Sequence, residues 1–336
     1  MKQEQFESVY RERWQHFESL LEQLEQRSPK PTGQDLAAFP ALYRQVCQFL
    51  ALARERQYSA YLIEELNDLM LRGHHQLYQR HTGIRGRLSQ FWVLEFPQLV
   101  REQQGFIWTA FGLLYLPALL FFAALQVEPH LIYSLLNLSQ VMEFEYMYNP
   151  ASDHIGRNRE SESDFMMFGF YIYNNISVAF RCFAGGLLLM LGSAVALVFN
   201  GLLLGGVAGH LANVGYPHTL FSFVIGHGAF ELTAIGIAGG AGLKLGYSLL
   251  VPGSLSRLAS LRLAAATGIR LMYGVILMLL IAAFIEAFWS SNGALPLGVK
   301  YGVGAALWLL VLAYFGWSGR GRFRKDSPVF VRSHDL

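Results

Sequence analysis

The sequence predicts an all-α protein: a polytopic membrane bundle of about six spans behind an N-terminal helical domain. Three observations carry this. Of 336 residues, 53% are hydrophobic and only 15% charged, where soluble domains hold about 25% charged residues. The charges crowd at the front: residues 1–105 carry 13 Lys/Arg and 13 Asp/Glu, leaving 13 and 11 for the remaining 231 residues. Behind them come apolar runs, the first of which, 106–125, is twenty residues without a charge. That length matches the ~20 residues needed to cross a ~30 Å hydrocarbon core. The expected domains are a cytoplasmic helical domain over 1–104 that ends in an interfacial helix, a transmembrane bundle over 105–318, and a basic cytoplasmic tail over 319–336.

Within the N-terminal domain, Phe6, Tyr10, Trp14, Phe17, Leu21 and Leu24 recur every three or four residues, opposite a Glu/Gln face. This is the pattern of an amphipathic helix with an aromatic seam. Residues 28–33 break it. A second helix is expected from about Pro40, a residue tolerated at the first helical position, to about Gln57. A third is expected over 59–79, closed by Thr82-Gly83. Residues 87–103 mix Phe91, Trp92, Phe96 and Leu99 with Arg87 and Arg101, which suits a helix lying on the membrane surface or a fourth helix of the domain. The polar start of the chain is no cleavable signal peptide, so the first span is expected to serve as the signal.

The spans follow at 106–125, 166–198, 200–213, 219–243, 271–289 and 299–317. The second is longer than a crossing requires, and the third is short enough for a re-entrant segment by length alone. The loop 126–165 is acid-rich. The connection 244–270 holds Lys244, Arg257, Arg262 and Arg270 without an acid, and the tail adds Arg320, Arg322, Arg324 and Lys325. Basic residues mark cytoplasmic ends, so 126–165 is expected outside and 244–270 inside. An odd number of crossings must join them. The expectation is therefore a multi-pass protein of a bacterial inner (cytoplasmic) membrane with six spans and both termini cytoplasmic.

Ionisable and amide side chains within spans are costly and usually face a bundle interior. His227 and Glu231 stand at i, i+4 on one helix face, with Gly228 between them. A carboxylate there must be protonated, paired or bound to an ion; a neutral Glu231 bonded to His227 as interhelical glue is the plain alternative. On the second span Asn174, Ser177, Arg181 and Gly185 share a face, with Asn175 adjacent. Arg181 is either the counter-ion of Glu231 or a side chain snorkelling to the interface. Asn200, Gly201 and His210 lie on the short run as supporting positions, and Glu286, close to Trp289, reads as interfacial. His227, Glu231 and His210 are the only grouping that suggests a metal, but HxxxE is not the HExxH pattern, so neither metal nor cofactor is expected. Gly201, Gly205 and Gly209, like Gly236 and Gly240, repeat every four residues, which lets helices touch in lipid.

Several classes are excluded. A net charge of +2 without a basic stripe argues against nucleic acid. Cys47 and Cys182, the two cysteines, are too far apart in sequence and setting for a disulfide framework. No Walker, GxSxG or GxGxxG motif is present, so an enzyme is not the leading expectation.

The residues Tyr173-Asn174-Asn175, Asn200-Gly201 and His227-Gly228-Ala229-Phe230-Glu231, the last followed by a Gly/Ala-rich helix, together resemble the stage II sporulation protein M family over about 105–317. The long N-terminal domain is similar to that of members from bacteria that do not sporulate. The resemblance implies an integral membrane component of an envelope or cell-wall system. It also implies company: MoxR-type ATPases, von Willebrand A-domain proteins and transglutaminase-like proteins. Alongside the lipid bilayer and a possible homo-oligomer, these are the expected partners. A partner-organising scaffold with an intramembrane polar site leads. A transporter, channel or intramembrane enzyme working through His227 and Glu231 is the alternative.

Overall fold

The computed structural model describes residues 2–26, 33–78, 84–151 and 164–320. All regular secondary structure among them is helical, and the chain divides into two compact units, Met1–Gly86 and Arg87–Leu336.

The first unit is built from α1 (Gln3–Gln26), α2 (Gly33–Glu55) and α3 (Ala60–Tyr78). The aromatic seam of α1 is its core. Phe6, Trp14, Phe17, Leu20 and Leu21 are buried against Phe49 and Leu50 of α2 and Leu66 of α3. Phe6 stacks on Trp14 at 5.8 Å and meets Phe49 edge-on at 5.9 Å. Arg72 of α3 pairs with Glu25 of α1 at 2.9 Å. Contrary to the expectation of a start near Pro40, α2 begins at Gly33 and carries the proline inside. The ring removes one backbone donor, and burial of Phe39 and Val46 on either side holds the helix through it.

The division falls within α4 (Ile84–Gln90), which leads into a π-helical turn over Phe91–Glu95 and α5 (Phe96–Glu102) of the second unit. Within the segment 87–103, one face packs inward. Phe96, Leu99 and Val100 are buried in the bundle. Arg101 donates to the Phe315 carbonyl at 2.9 Å, and Tyr314 donates to that of Trp92 at 2.5 Å.

Next come α6 (Gln104–Val127), α7 (Leu138–Met147), α8 (Asp164–Ala184), α9 (Leu191–Asn213), α10 (Pro217–Leu250), α11 (Arg257–Ile285, extended by a π-helical turn over Glu286–Ser290) and α12 (Leu297–Trp317). Five of these helices are long and apolar enough to cross a membrane: α6, α9, α10, α11 with its extension, and α12. The sixth, α8, has 21 residues and carries Asp164, Asn174, Asn175 and Arg181, which lower its hydropathy. It nonetheless packs among the others, with Tyr171 against α11 and Ala179 in the central core.

Contacts at the helix ends show that the six run alternately up and down. At one end Lys244 of α10 donates to Gln103, just before α6, at 2.7 Å. At the other, Asn213 closes α9 by donating to the Leu125 carbonyl at 2.8 Å, and Lys300 at the start of α12 donates to the Ser290 carbonyl at 2.9 Å. The buried centre is α10, whose glycines admit its neighbours. A side chain at Gly236 would collide with Phe111 of α6, and one at Gly242 with the Cys182 carbonyl of α8.

The break between α8 and α9 differs from the expected run of 166–198 followed by a short 200–213. The chain turns at 185–190, and both flanking helices are of full length. Hydropathy cannot see this turn, because Gly-Gly-Leu-Leu-Leu-Met is as apolar as the helices beside it. Gly185 lies against Gly192 and Gly186 against Gly242, while Leu189 and Met190 take left-handed φ of 53° and 72°. The run 200–213 is thus the second half of a 23-residue helix and not a re-entrant segment.

Candidate functional site

Helix α10 places His227 and Glu231 one turn apart, both facing inward. The His227 Nε2 and Glu231 Oε2 atoms are 3.9 Å apart. His227 is 4% exposed. Its Nδ1 lies 3.1 Å from Ser290 Oγ, and its ring meets Phe223 edge-on at 5.2 Å. Ser290 comes from the π-helical turn that ends α11. That turn begins at Glu286, which also faces inward; such bulges recur at functional positions. Nitrogen and carboxylate atoms of His227, Glu231 and Glu286 all fall within 4.8 Å of one another.

These groups line a cavity of about 240 Å³ together with Asn174 and Asn175 of α8. Asn175 is 2% exposed; its Oδ1 accepts from Asn174 at 3.1 Å, and its buried Nδ2 has no hydrogen-bond partner among the described residues. Gly228 also faces this space. A Cβ there would meet only Val224 and Leu232 of its own helix, so its missing side chain is part of the cavity. A larger groove of about 710 Å³ adjoins it, running between α6, α8, α9 and α10. The two share Asn174 and Glu231 in their walls, and the groove adds Arg181 and Asn200.

The structure therefore gathers His227, Glu231, Asn174, Asn175 and Gly228 at the smaller cavity, with Arg181 and Asn200 on the adjoining groove. Arg181 makes no ion pair with Glu231. It is exposed and donates to the Ser177 carbonyl at 3.2 Å, the geometry of the snorkelling alternative. Asn200 donates to the Ala196 carbonyl of its own helix at 2.7 Å, and Gly201 presses on Leu114 of α6. His210 cannot join His227 and Glu231, because it is held by Glu145 of α7 at 2.7 Å. Glu286, expected to be interfacial, is buried at the cavity, on the same face of its helix as Ala282 and Ala283. Ser290 and Lys300 were missed. Lys300, 1% exposed at the head of an apolar run, carried a signal for burial in its position alone.

Taken together, the fold and this cluster define a polytopic helical membrane protein with a polar cavity inside its bundle. A model of the Stage II sporulation protein M family matches residues 106–291, and the chain belongs to that family. A second model, Domain of unknown function (DUF8413), matches residues 4–79, the span of α1 to α3. Neither the curated proteins nor the solved structures offer a match to this chain.

Proposed function

We propose that this chain is the membrane-embedded member of a bacterial envelope system, resident in the cytoplasmic membrane with both termini on the cytoplasmic side, and that it acts through a ligand-binding site at the cavity between α8, α10 and α11. One observation carries the reading. His227, Glu231, Glu286 and Asn175 line a shared space of about 240 Å³, and the buried Asn175 Nδ2 has no partner among the described residues, where pure interhelical glue would fill that space and use that donor. In this reading the first unit engages soluble partners, with MoxR-type ATPases and von Willebrand A-domain proteins as the classes that the family resemblance suggests. The bundle responds to what occupies the cavity.

The test is complementation of a deletion strain. Glu231→Gln keeps size and hydrogen-bonding capacity but cannot carry charge. The expected result is loss of the cellular phenotype at an unchanged membrane level of the protein. Wild-type function in Glu231→Gln would remove the ligand site and leave a scaffold whose polar cluster is only structural.

A further inference from the structure

We infer that His227, Glu231 and Glu286 form the binding site of one divalent transition-metal ion. The inference deepens the proposed ligand site and rests on it. Three observations support it.

The first is the donor set and its spacing. One imidazole nitrogen and two carboxylate oxygens lie within 4.8 Å of one another, supplied by two rigid helices packed side by side. Metal–ligand bonds of about 2.0–2.2 Å put tetrahedral ligand atoms roughly 3.4 Å apart, so ordinary rotation of the three side chains closes the set. Charge also balances. A divalent cation would offset the charge of two carboxylates in a bundle core, where ionised groups are costly. Mixed nitrogen and oxygen ligands suit zinc, manganese or ferrous ions; no thiolate joins them to favour a softer ion.

The second is the orientation of His227. Its Nδ1 is engaged with Ser290 Oγ at 3.1 Å, which leaves Nε2 on the side of Glu231. Metal-binding histidines are oriented in this way, one nitrogen fixed by a supporting partner and the other free to coordinate. The π-helical turn supplies both Glu286 and Ser290, so the ligand and the supporting group come from a single backbone irregularity.

The third is Asn175, from a different helix. It is almost fully buried on the same cavity, and its Nδ2 donor has no partner among the described residues. Three protein ligands leave a coordination position open. An oxygen-bearing molecule there, water in the simplest case, would accept from this amide. That makes the site one that binds and presents a ligand, and not a closed structural one.

The test uses the full chain, purified in detergent without chelator, with metal content measured by inductively coupled plasma mass spectrometry. The chain is then stripped and titrated with Zn²⁺, Mn²⁺ and Fe²⁺. The expected result is one ion per wild-type chain, retained in Arg181→Ala, and affinity reduced roughly tenfold or more in Glu286→Gln and His227→Ala. Glu286→His, which restores a metal donor, should recover binding, and this arm separates lost coordination from lost folding. A wild-type chain that takes up none of the three ions, or one ion bound equally by Glu286→Gln and His227→Ala, would overturn the metal site. Metal-free wild type together with a null phenotype in Glu231→Gln would overturn it too, while leaving the proposed ligand site in place.

Discussion

At the scale of single residues, shape and charge give opposite expectations for neighbouring positions. A side chain at Gly205 of α9 would drive into the Ala118 carbonyl of α6, whereas nothing lies within 4 Å of a Cβ at Gly112. Overpacking of a close contact costs about 1–3 kcal/mol. Gly205→Leu should therefore lower the membrane level and thermal midpoint, and Gly112→Leu should leave both unchanged; quantitative blotting and a thermal aggregation assay would show it. Arg181→Ala should be silent in the same assays, since the guanidinium bonds only to a carbonyl of its own helix. The sequence could not choose between a counter-ion and a snorkelling arginine, because residue type and spacing suit both. Glu286 was misplaced for a related reason. Its nearness to Trp289 and the span end speaks only of depth, whereas Val275, Leu279, Ala282 and Glu286 share one buried face at helical spacing.

At the scale of elements, the amphipathic pattern of α1 was legible in full, because aromatic residues at helical spacing have one plausible use. Trp14 tests how that core holds together. It is 1% exposed, yet its indole N–H is buried without a hydrogen-bond partner among the described residues. Trp14→Ala should destabilise an isolated 1–86 fragment by about 3–5 kcal/mol. Trp14→Phe should cost far less, because it removes an unsatisfied donor along with part of the volume. Urea unfolding followed by circular dichroism gives both numbers, and equal losses would mean that the N–H is in fact satisfied. Elements whose limits depend on tertiary contact were less legible. The start of α2 passed under Pro40, and the α8–α9 turn hid inside continuous apolar sequence.

For the whole molecule, hydropathy and charge placement were enough to give a helical membrane bundle, since both are properties of long segments. The alternating run of the six long helices puts the α10–α11 connection 251–256, flanked by Lys244, Arg257 and Arg262, at one end of the bundle and α7 at the other. Single cysteines at Ser139 and Ser260 should accordingly react oppositely with a membrane-impermeant thiol reagent in intact cells, Ser139 labelling and Ser260 protected. Labelling of both from outside would mean that α8 does not cross. The cavity itself was only half visible in advance. Its α10 and α8 members stand mid-span, where a polar residue signals itself, but Glu286 and Ser290 of α11 stand at a span end, where polar residues are ordinary.

The turn between α8 and α9 bears on how the protein is made. Its exposed residues, Leu187, Leu188 and Leu189, are all apolar. Its backbone closes on itself through Leu188 to Gly185 at 3.1 Å, Met190 to Gly186 at 3.2 Å and Leu191 to Leu188 at 3.0 Å, so it asks nothing of water. Helix α8, with two asparagines and an arginine, partitions poorly by itself on insertion scales, while α9 is strongly apolar. The two should consequently leave the translocon for lipid together, as one hairpin with no hydrophilic loop to deliver. In a glycosylation-mapping assay, nascent chains ending after α8 should integrate inefficiently, and chains extended through α9 should integrate almost completely. A two-residue Lys insertion at Leu188 should separate the two events and lower the yield of the whole bundle.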